Sequence, residues 1–400
     1  MGWLIPRDEL TAEQIRAIEL DPSEHRVILG APGSGKTQIL LHRARFLCEE
    51  FGVAPDRFHV FVFTNVLKEY IRTALVELDL PDEAVTTLDD WCVQTYRREI
   101  GESLPWDFAK KTPDYAAIRN AVRRRLRGRR LFDFALVDEG QDLDEYALAL
   151  IRDLAGHVTV AMDHKQQIYP EGSGEAEIVR TLGLRRSSLV LLEAFRCSPY
   201  IVRVASEFIE DAAEREAFLR QSRTAQTDIQ TPFLYEAEDF EDESERLVEV
   251  LRERQLVDRN IAVLFAKNKQ VEAFARDCRR QGIPIETRKD GLDFTNSTPK
   301  ALTYHSAKGL TFDSVLLPRL VRSSFPAPLD GRTLRLLYVG ITRATRWVYF
   351  SAVRNNALEA LERIRALSRL EPPIVTFGVP PTPVRRAEQA SEPDDVLDIL

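Results

Sequence analysis

The residues best suited to chemistry are GAPGSGKT at positions 30–37 and the adjacent acids Asp138 and Glu139 within LFDFALVDEGQDL, positions 131–143. Gly33 and Gly35 permit a backbone turn that aims amides at phosphate oxygens, and Gly30 and Ser34 complete the loop. Lys36 is placed to reach the β and γ phosphates of a nucleotide, and the Thr37 hydroxyl can ligate Mg²⁺. The N-terminus of the following helix adds a favourable dipole. A glycine-rich turn ahead of a helix is the plainer alternative, but strand, lysine and threonine stand together in the full GxxxxGK[ST] pattern. Two neighbouring carboxylates at the end of an apolar strand are costly to keep ionised unless a cation faces them. The Mg²⁺ that accompanies ATP would be that cation. Asp138 is read as facing the metal, usually through water, and Glu139 as the base that orients and deprotonates attacking water. A solvated turn bearing two acids is the alternative, and the phosphate loop upstream argues against it.

The elements that must hold these groups alternate short apolar runs with longer amphipathic stretches, the pattern of an α/β fold with largely parallel sheets. Strands are expected at 25–30, 60–65, 134–140, 157–163, 188–195, 260–266, 314–318 and 347–353. Helices are expected at 36–49, 66–78, 144–154, 199–210, 241–255, 268–281, 333–344 and 356–369. The alternation restarts near residue 190, which is taken as a domain boundary, and no short-period internal repeat is present. From about residue 372 the chain is rich in Pro and charge and reads as a flexible tail, 372–400. Its end, DDVLDIL, alternates acids with apolar residues, so it is either a docking segment or simply disordered.

Composition narrows the classes. With 400 residues and 44% hydrophobic content the chain can fill two cores. No apolar run reaches the roughly 18 residues of a membrane span. The start, MGWLIPRDEL, lacks a signal-peptide layout, and Pro6 stands where myristoylation needs Ser or Thr. The four cysteines, Cys48, Cys92, Cys197 and Cys278, are widely spaced with no CxxC pair. That argues against zinc, an iron–sulfur motif and a disulfide framework, and points to a cytoplasmic location. With a net charge of −8, nucleic-acid contact must come from a local basic patch. Arg119, Arg123, Arg124, Arg125, Arg127, Arg129 and Arg130 form a dense basic run, either a phosphate-contacting patch or a solvated helix face.

Five further stretches sharpen the reading: DEGQD (138–142), MDHKQQIY (162–169), LLEAFRCSP (191–199), TYHSAKGLTFD (303–313) and LRLLYVGITRA (334–344). In order and spacing they resemble the UvrD/Rep/PcrA-like superfamily 1 helicases over most of residues 8–350, with HSAKGL and YVGITRA pointing away from the 5′-to-3′ branch. The resemblance implies two tandem RecA-like P-loop domains with parallel sheets flanked by helices. ATP would lie in the interdomain cleft and single-stranded DNA would cross the domain tops. The first domain would span 1–190 with a short helical insertion at about 92–131, and the second 191–371. The family's second insertion, expected between roughly 290 and 301, is essentially missing.

The resemblance also implies roles. Gln14 in LTAEQ corresponds to the adenine-reading glutamine, although Thr11-x-x-Gln14 is equally a capping box, and both can hold. Gln166 corresponds to the γ-phosphate sensor, and Arg196 and Arg343 to the arginines that close onto that phosphate. Guanidinium groups suit that task because they stay charged and spread donors over several oxygens. For the strand path, Phe63, Thr64 and Asn65 match an FTN motif, Tyr169 the aromatic after the sensor, and His305 the histidine of the fifth motif. Core packing in a strand is the competing role for Phe63. Three positions depart from the family: Glu171 replaces a base-stacking aromatic, Gln38 replaces an arginine and leaves Phe195 as the adenine-stacking residue, and Thr311 replaces an acid expected at the ribose.

Two functions follow. The first is a DNA-stimulated ATPase using Mg²⁺, a minimal 3′-to-5′ single-stranded DNA translocase or helicase, with duplex ends or junctions as further substrates. The second is an ATP-gated regulatory subunit beside a nuclease, in a DNA repair or anti-phage defence complex.

Overall fold

Thr11 starts the first helix through a capping box: its hydroxyl accepts from Gln14 N while its own N–H donates to the Gln14 side chain. The molecule was analysed as a computed structural model that describes residues 4–163, 166, 172–185, 189–192, 198–222, 230–326 and 330–378. Helix α1 (Ala12–Ile18) is followed by β1 (Arg26–Gly30), α2 (Lys36–Phe51), β2 (Phe58–Val62), α3 (Asn65–Leu75), β3 (Val85–Thr87) and α4 (Leu88–Glu99). A small hairpin of β4 (Trp106–Asp107) and β5 (Thr112–Pro113) then leads into α5 (Tyr115–Arg125). The first half continues through β6 (Phe132–Val137), α6 (Glu145–Leu154), β7 (Ala155–Met162), α7 (Glu175–Leu182) and β8 (Leu189–Leu192). Its strands pair in the order β3-β2-β6-β7-β1-β8, every pairing parallel.

The second half opens with α8 (Pro199–Ser206) and α9 (Ala212–Gln221), then β9 (Phe233–Ala237), α10 (Phe240–Arg254), β10 (Ile261–Phe265) and α11 (Asn268–Arg280). It continues with β11 (Glu286–Thr287), β12 (Lys300–Thr303), β13 (Phe312–Leu317), α12 (Gly331–Ile341), β14 (Ala344–Val353), α13 (Leu361–Ser368) and β15 (Thr376–Phe377). This second sheet, β11-β12-β10-β13-β14-β9-β15, is also parallel throughout. Parallel strands need crossovers, and the helices that supply them cover both faces. One apolar cluster fills the α2/α3 face of the first sheet and runs on into the α8/α12 face of the second. Separate clusters lie under α4, α5 and α6 and under α10 and α11. All strand ends of one sheet therefore open on the same edge, where such folds bind ligands.

The α/β architecture expected from the pattern is the one observed, with informative differences. The strand expected at 60–65 stops at Val62, because Thr64 turns to accept from Leu67 N and cap α3. The strand expected at 134–140 stops at Val137, ahead of the two acids. Strand β8 straddles the expected boundary at 190 and pairs with β1, so the first sheet runs to Leu192. Strands β3 and β12 escaped the pattern because they are short and, in β12, begin with Lys300, whose buried ammonium meets Glu286 at 3.0 Å. Among the described residues no helix is long and apolar enough to cross a membrane.

The tail boundary at 372 is corrected. Thr376 N donates to Pro232 O, Gly378 N donates to Leu234 O, and β15 pairs with β9 at the edge of the second sheet. Val375 is fully buried. Residues 379–400 lie outside the described residues. A chain ending at residue 371 is expected to lose the burial of Val375, worth about 1.5–3 kcal/mol, besides the edge pairing. A chain ending at 378 should keep both. Thermal unfolding of the two truncations checks this: equal midpoints would contradict the assignment.

Candidate active site

The loop after β1 turns through Gly33 (φ +80°) and Gly35 (φ +84°), left-handed conformations that favour glycine. A side chain at Gly35 would also meet Gln14 Nε2 at 2.8 Å. In this structure Gln14 Nε2 donates to Ser34 O at 3.0 Å while its Oε1 caps α1. One side chain thus clamps the phosphate loop onto the first helix. Lys36 is buried at the start of α2, its ammonium donating to Gly30 O (2.7 Å) and Ala31 O (3.2 Å). Ser34 is buried with a hydroxyl that has no protein partner among the described residues. An unpaired buried hydroxyl, a lysine and two positive-φ glycines are what an incoming phosphate chain would satisfy, so the loop fits a nucleotide. Gln38, the departure from arginine, is buried and accepts from Ile5 N at 3.1 Å, tying the N-terminal segment to α2.

Thr37 and Asp138 meet across the loop, the threonine hydroxyl donating to Asp138 Oδ2 at 2.6 Å. Both groups expected to face Mg²⁺ therefore converge, and their oxygen donors suit that hard cation. Asp138 is buried at the end of β6. Burial first, and the neighbouring Glu139 charge second, push its carboxyl up to about 6. Glu139 has φ +54°, a left-handed backbone that costs a residue with a side chain about 1–3 kcal/mol. The strain persists because Gly140 is pressed on β7, where an added Cβ would lie 2.2 Å from Val160 Cγ1. Gln141 donates to Glu139 Oε2 at 2.5 Å and accepts from Asp163 N at 3.1 Å, fixing the acid to the end of β7. Burial raises the Glu139 carboxyl, but Lys308, Lys36 and Arg343 together outweigh it, so the group lies below its ordinary range and stays ionised. The two neighbouring carboxyls are thus pushed apart, Asp138 upward and Glu139 downward.

The second sheet closes this site. Gln166 donates to Asp163 Oδ2 (2.9 Å) and accepts from Arg343 Nη2 (2.6 Å). Arg343 sits past the end of α12, which stops at Ile341 rather than 344, and its guanidinium is braced by Val339 O (3.0 Å) and Leu310 O (3.2 Å). Reading the motifs missed Lys308, although its place in HSAKGL was a signal. Fully buried, it pairs with Asp142, lies 3.7 Å from Glu139 and donates to Gln166 O at 2.5 Å. The turn carrying it passes through Gly309 (φ +80°), where a Cβ would fall 2.7 Å from Leu67 of α3. The cleft is thus lined by Lys36, Thr37 and Glu139 from one half and Gly309, Thr311 and Arg343 from the other.

The expected strand-path residues fall in two places. Phe63 is half-buried between β2 and α3, the core position being taken by Phe61, while Thr64 caps α3 and Asn65 is exposed. His305 follows the carboxyl end of β12, and burial, then Arg332 and Lys308, lower its imidazole pKa. Both segments therefore leave the carboxyl ends of parallel strands. Arg123, Arg124 and Arg127 do not join them. Helix α5 runs down to the start of β6, so these residues lie by the amino ends of the strands, where Arg123 is paired with Asp153 and Arg124 and Arg127 are exposed. Tyr169, Glu171, Phe195 and Arg196 lie outside the described residues.

Lys308→Met would take away the cation paired with Asp142 and one of the three that hold Glu139 ionised, an expected loss of about 3–5 kcal/mol in stability. Adding Asp142→Asn should recover part of it. Urea unfolding of both variants is the measurement, and an unaltered midpoint for the single change would refute the role.

Similarity to known proteins agrees with this geometry. The family described as UvrD/REP helicase N-terminal domain matches residues 10–125, and two families described as UvrD-like helicase C-terminal domain match 189–298 and 300–351. A probable DNA helicase of Mycoplasma pneumoniae is 21% identical, with 88% of this chain and 85% of the relative covered. The ATP-dependent DNA helicase PcrA of Staphylococcus aureus (strain Mu50) is 21% identical over 69% of this chain, which spans only 50% of that relative. A probable DNA helicase II homolog of Mycoplasma capricolum is 20% identical, with 52% of this chain and 42% of the relative covered.

Proposed function

The chain belongs to the UvrD-like helicase family and is an ATP-hydrolysing enzyme of the DNA-helicase type, and on that premise we propose that it is a DNA-stimulated ATPase acting as a minimal 3′-to-5′ single-stranded DNA translocase or helicase. The observation that supports this most is the reach of Arg343 and Lys308 from the second sheet onto Gln166, Glu139 and Asp142 of the first. A hydrolytic site assembled from two halves links each turnover to their separation, which is what a motor needs.

When bound, Mg²⁺·ATP supplies the phosphoanhydride to be cleaved and the cation that offsets the paired acids. Lys36 is then drawn from the carbonyls of Gly30 and Ala31 toward the phosphates, and Thr37 and Asp138 are in place to hold the metal. Glu139, ionised and fixed by Gln141, takes the proton of the attacking water. Gln166, held by Arg343, would sense the γ phosphate, and Arg343, with Arg196 in the same role, would bring donors to the charge that develops on the phosphoryl oxygens. Phe63, Thr64, Asn65, Tyr169 and His305 are proposed to carry the single strand across the carboxyl edges of the sheets.

The test is ATP hydrolysis by the purified chain, with and without single-stranded DNA. Turnover should rise with DNA, vanish in Lys36→Ala and on chelation of Mg²⁺, and fall by about 10²–10⁴ in Glu139→Gln with nucleotide binding retained. Arg343→Ala is expected to cost on the order of 10³ or more. Lysine-dependent turnover indifferent to DNA would overturn the motor and favour the regulatory-subunit reading, in which the same cleft gates a partner nuclease.

A further inference from the structure

Four of the seven strongly exposed aromatic rings among the described residues lie on one hairpin and on the first turns of two neighbouring helices. Phe108 is 84% exposed, Tyr146 67%, Trp106 48% and Tyr115 37%. Large rings left exposed on neighbouring elements are the kind of surface that marks a contact site. Trp106 and Phe108 belong to the β4–β5 hairpin, Tyr115 opens α5 and Tyr146 lies in the first turn of α6.

Their placement follows from three ion pairs. Arg119 of α5 bridges Asp89 at the start of α4 (2.9 Å) and Asp144, the cap of α6 (2.8 Å), so the amino ends of α4, α5 and α6 meet. Lys68 of α3 reaches Asp90 of α4 at 3.0 Å. Helices α4 and α6 leave the carboxyl ends of β3 and β6, which flank β2 in the sheet, and β2 runs into Phe63–Asn65. The base of the hairpin is closed by Asp114 N donating to Pro105 O at 2.9 Å, and Asp114 caps α5, which sets the hairpin at the amino end of that helix. Within the hairpin, Trp106 faces Pro113 and Asp107 faces Thr112 across the ladder. Asp107 Oδ1 accepts from Ala109 N and Lys110 N, and Lys111 turns at φ +55°.

We propose that this hairpin, with Tyr115 and Tyr146, is a base-stacking surface for single-stranded nucleic acid that extends the path from Phe63–Asn65 along the edge of the first sheet. The inference rests on the DNA-dependent reading above. Planar rings stack on any base, whereas an apolar protein partner would be met as well by aliphatic side chains. Lys110, 80% exposed and only loosely paired with Asp107 at 3.6 Å, and exposed Lys111 add the positive charge a phosphate backbone needs. The chain also carries Glu171 where the helicases it resembles place a stacking ring, so stacking supplied elsewhere has a use.

The experiment uses the full chain, a fluorescently labelled oligo-dT and anisotropy, with thermal unfolding as the check on folding. Trp106→Ala with Phe108→Ala should weaken binding by roughly tenfold or more per ring, and Lys110→Ala with Lys111→Ala should lower its salt dependence. Phe108→Tyr should bind as the wild type and Phe108→Leu as poorly as Phe108→Ala. Photocrosslinking with 5-iododeoxyuridine in the oligonucleotide should map to Trp106 or Phe108. Wild-type affinity in the doubly substituted aromatic variant, or full affinity with leucine at 108, overturns the stacking surface alone. A wild-type chain that neither binds oligo-dT nor responds to it in turnover overturns both this surface and the DNA-dependent reading.

Discussion

The interaction on which the rest depends is the burial of Lys308 among the acids of the other half. Its ammonium meets Asp142 and Glu139, and it donates to the backbone oxygen of Gln166. A buried cation and buried carboxylates are each costly in isolation, and each is tolerable only with the other present. Asp138, Glu139 and Asp142 on one side are matched by Lys36, Lys308 and Arg343, two of which come from the second sheet. The charge balance of this buried cluster therefore depends on how the two halves sit. Any change in that seating also changes the acidity of Glu139, whose depressed pKa is owed first to Lys308 among its cations.

Several residues serve the scaffold and the site together. Gln14 caps its own helix and clamps the phosphate loop. Thr64 ends β2 and starts α3, which leaves Phe63 and Asn65 at the sheet edge instead of inside it. Gly140 lets the strained turn at Glu139 lie flat on β7. Local strain at Glu139 is supported by close packing beneath it.

The arginine run illustrates how spatial context redirects a sequence signal. The positive charge at 119–130 is real, but Arg119 joins two helix starts, Arg123 pairs with Asp153 and Arg129 pairs with Glu99. Much of that charge is spent on internal pairs, and its exposed remainder lies by the amino ends of the strands. The exposed aromatic hairpin, by contrast, sits at the carboxyl edge with the other loops. Its strands are only two residues long, too short to carry a period.

By itself the sequence determined the phosphate loop, the acid pair and the parallel α/β layout, because each depends on residue types at short spacing along one strand or helix. The capping box at Thr11 and Gln14 was legible for the same reason. Only the tertiary structure decided that Lys308 neutralises Asp142, that Arg343 touches Gln166 and that residues 374–378 complete a sheet edge. Those partners are far apart along the chain, 166 residues for Lys308 and Asp142 and 177 for Arg343 and Gln166. Their pairing follows from the packing of two sheets, and no local pattern encodes which buried acid will meet which buried cation.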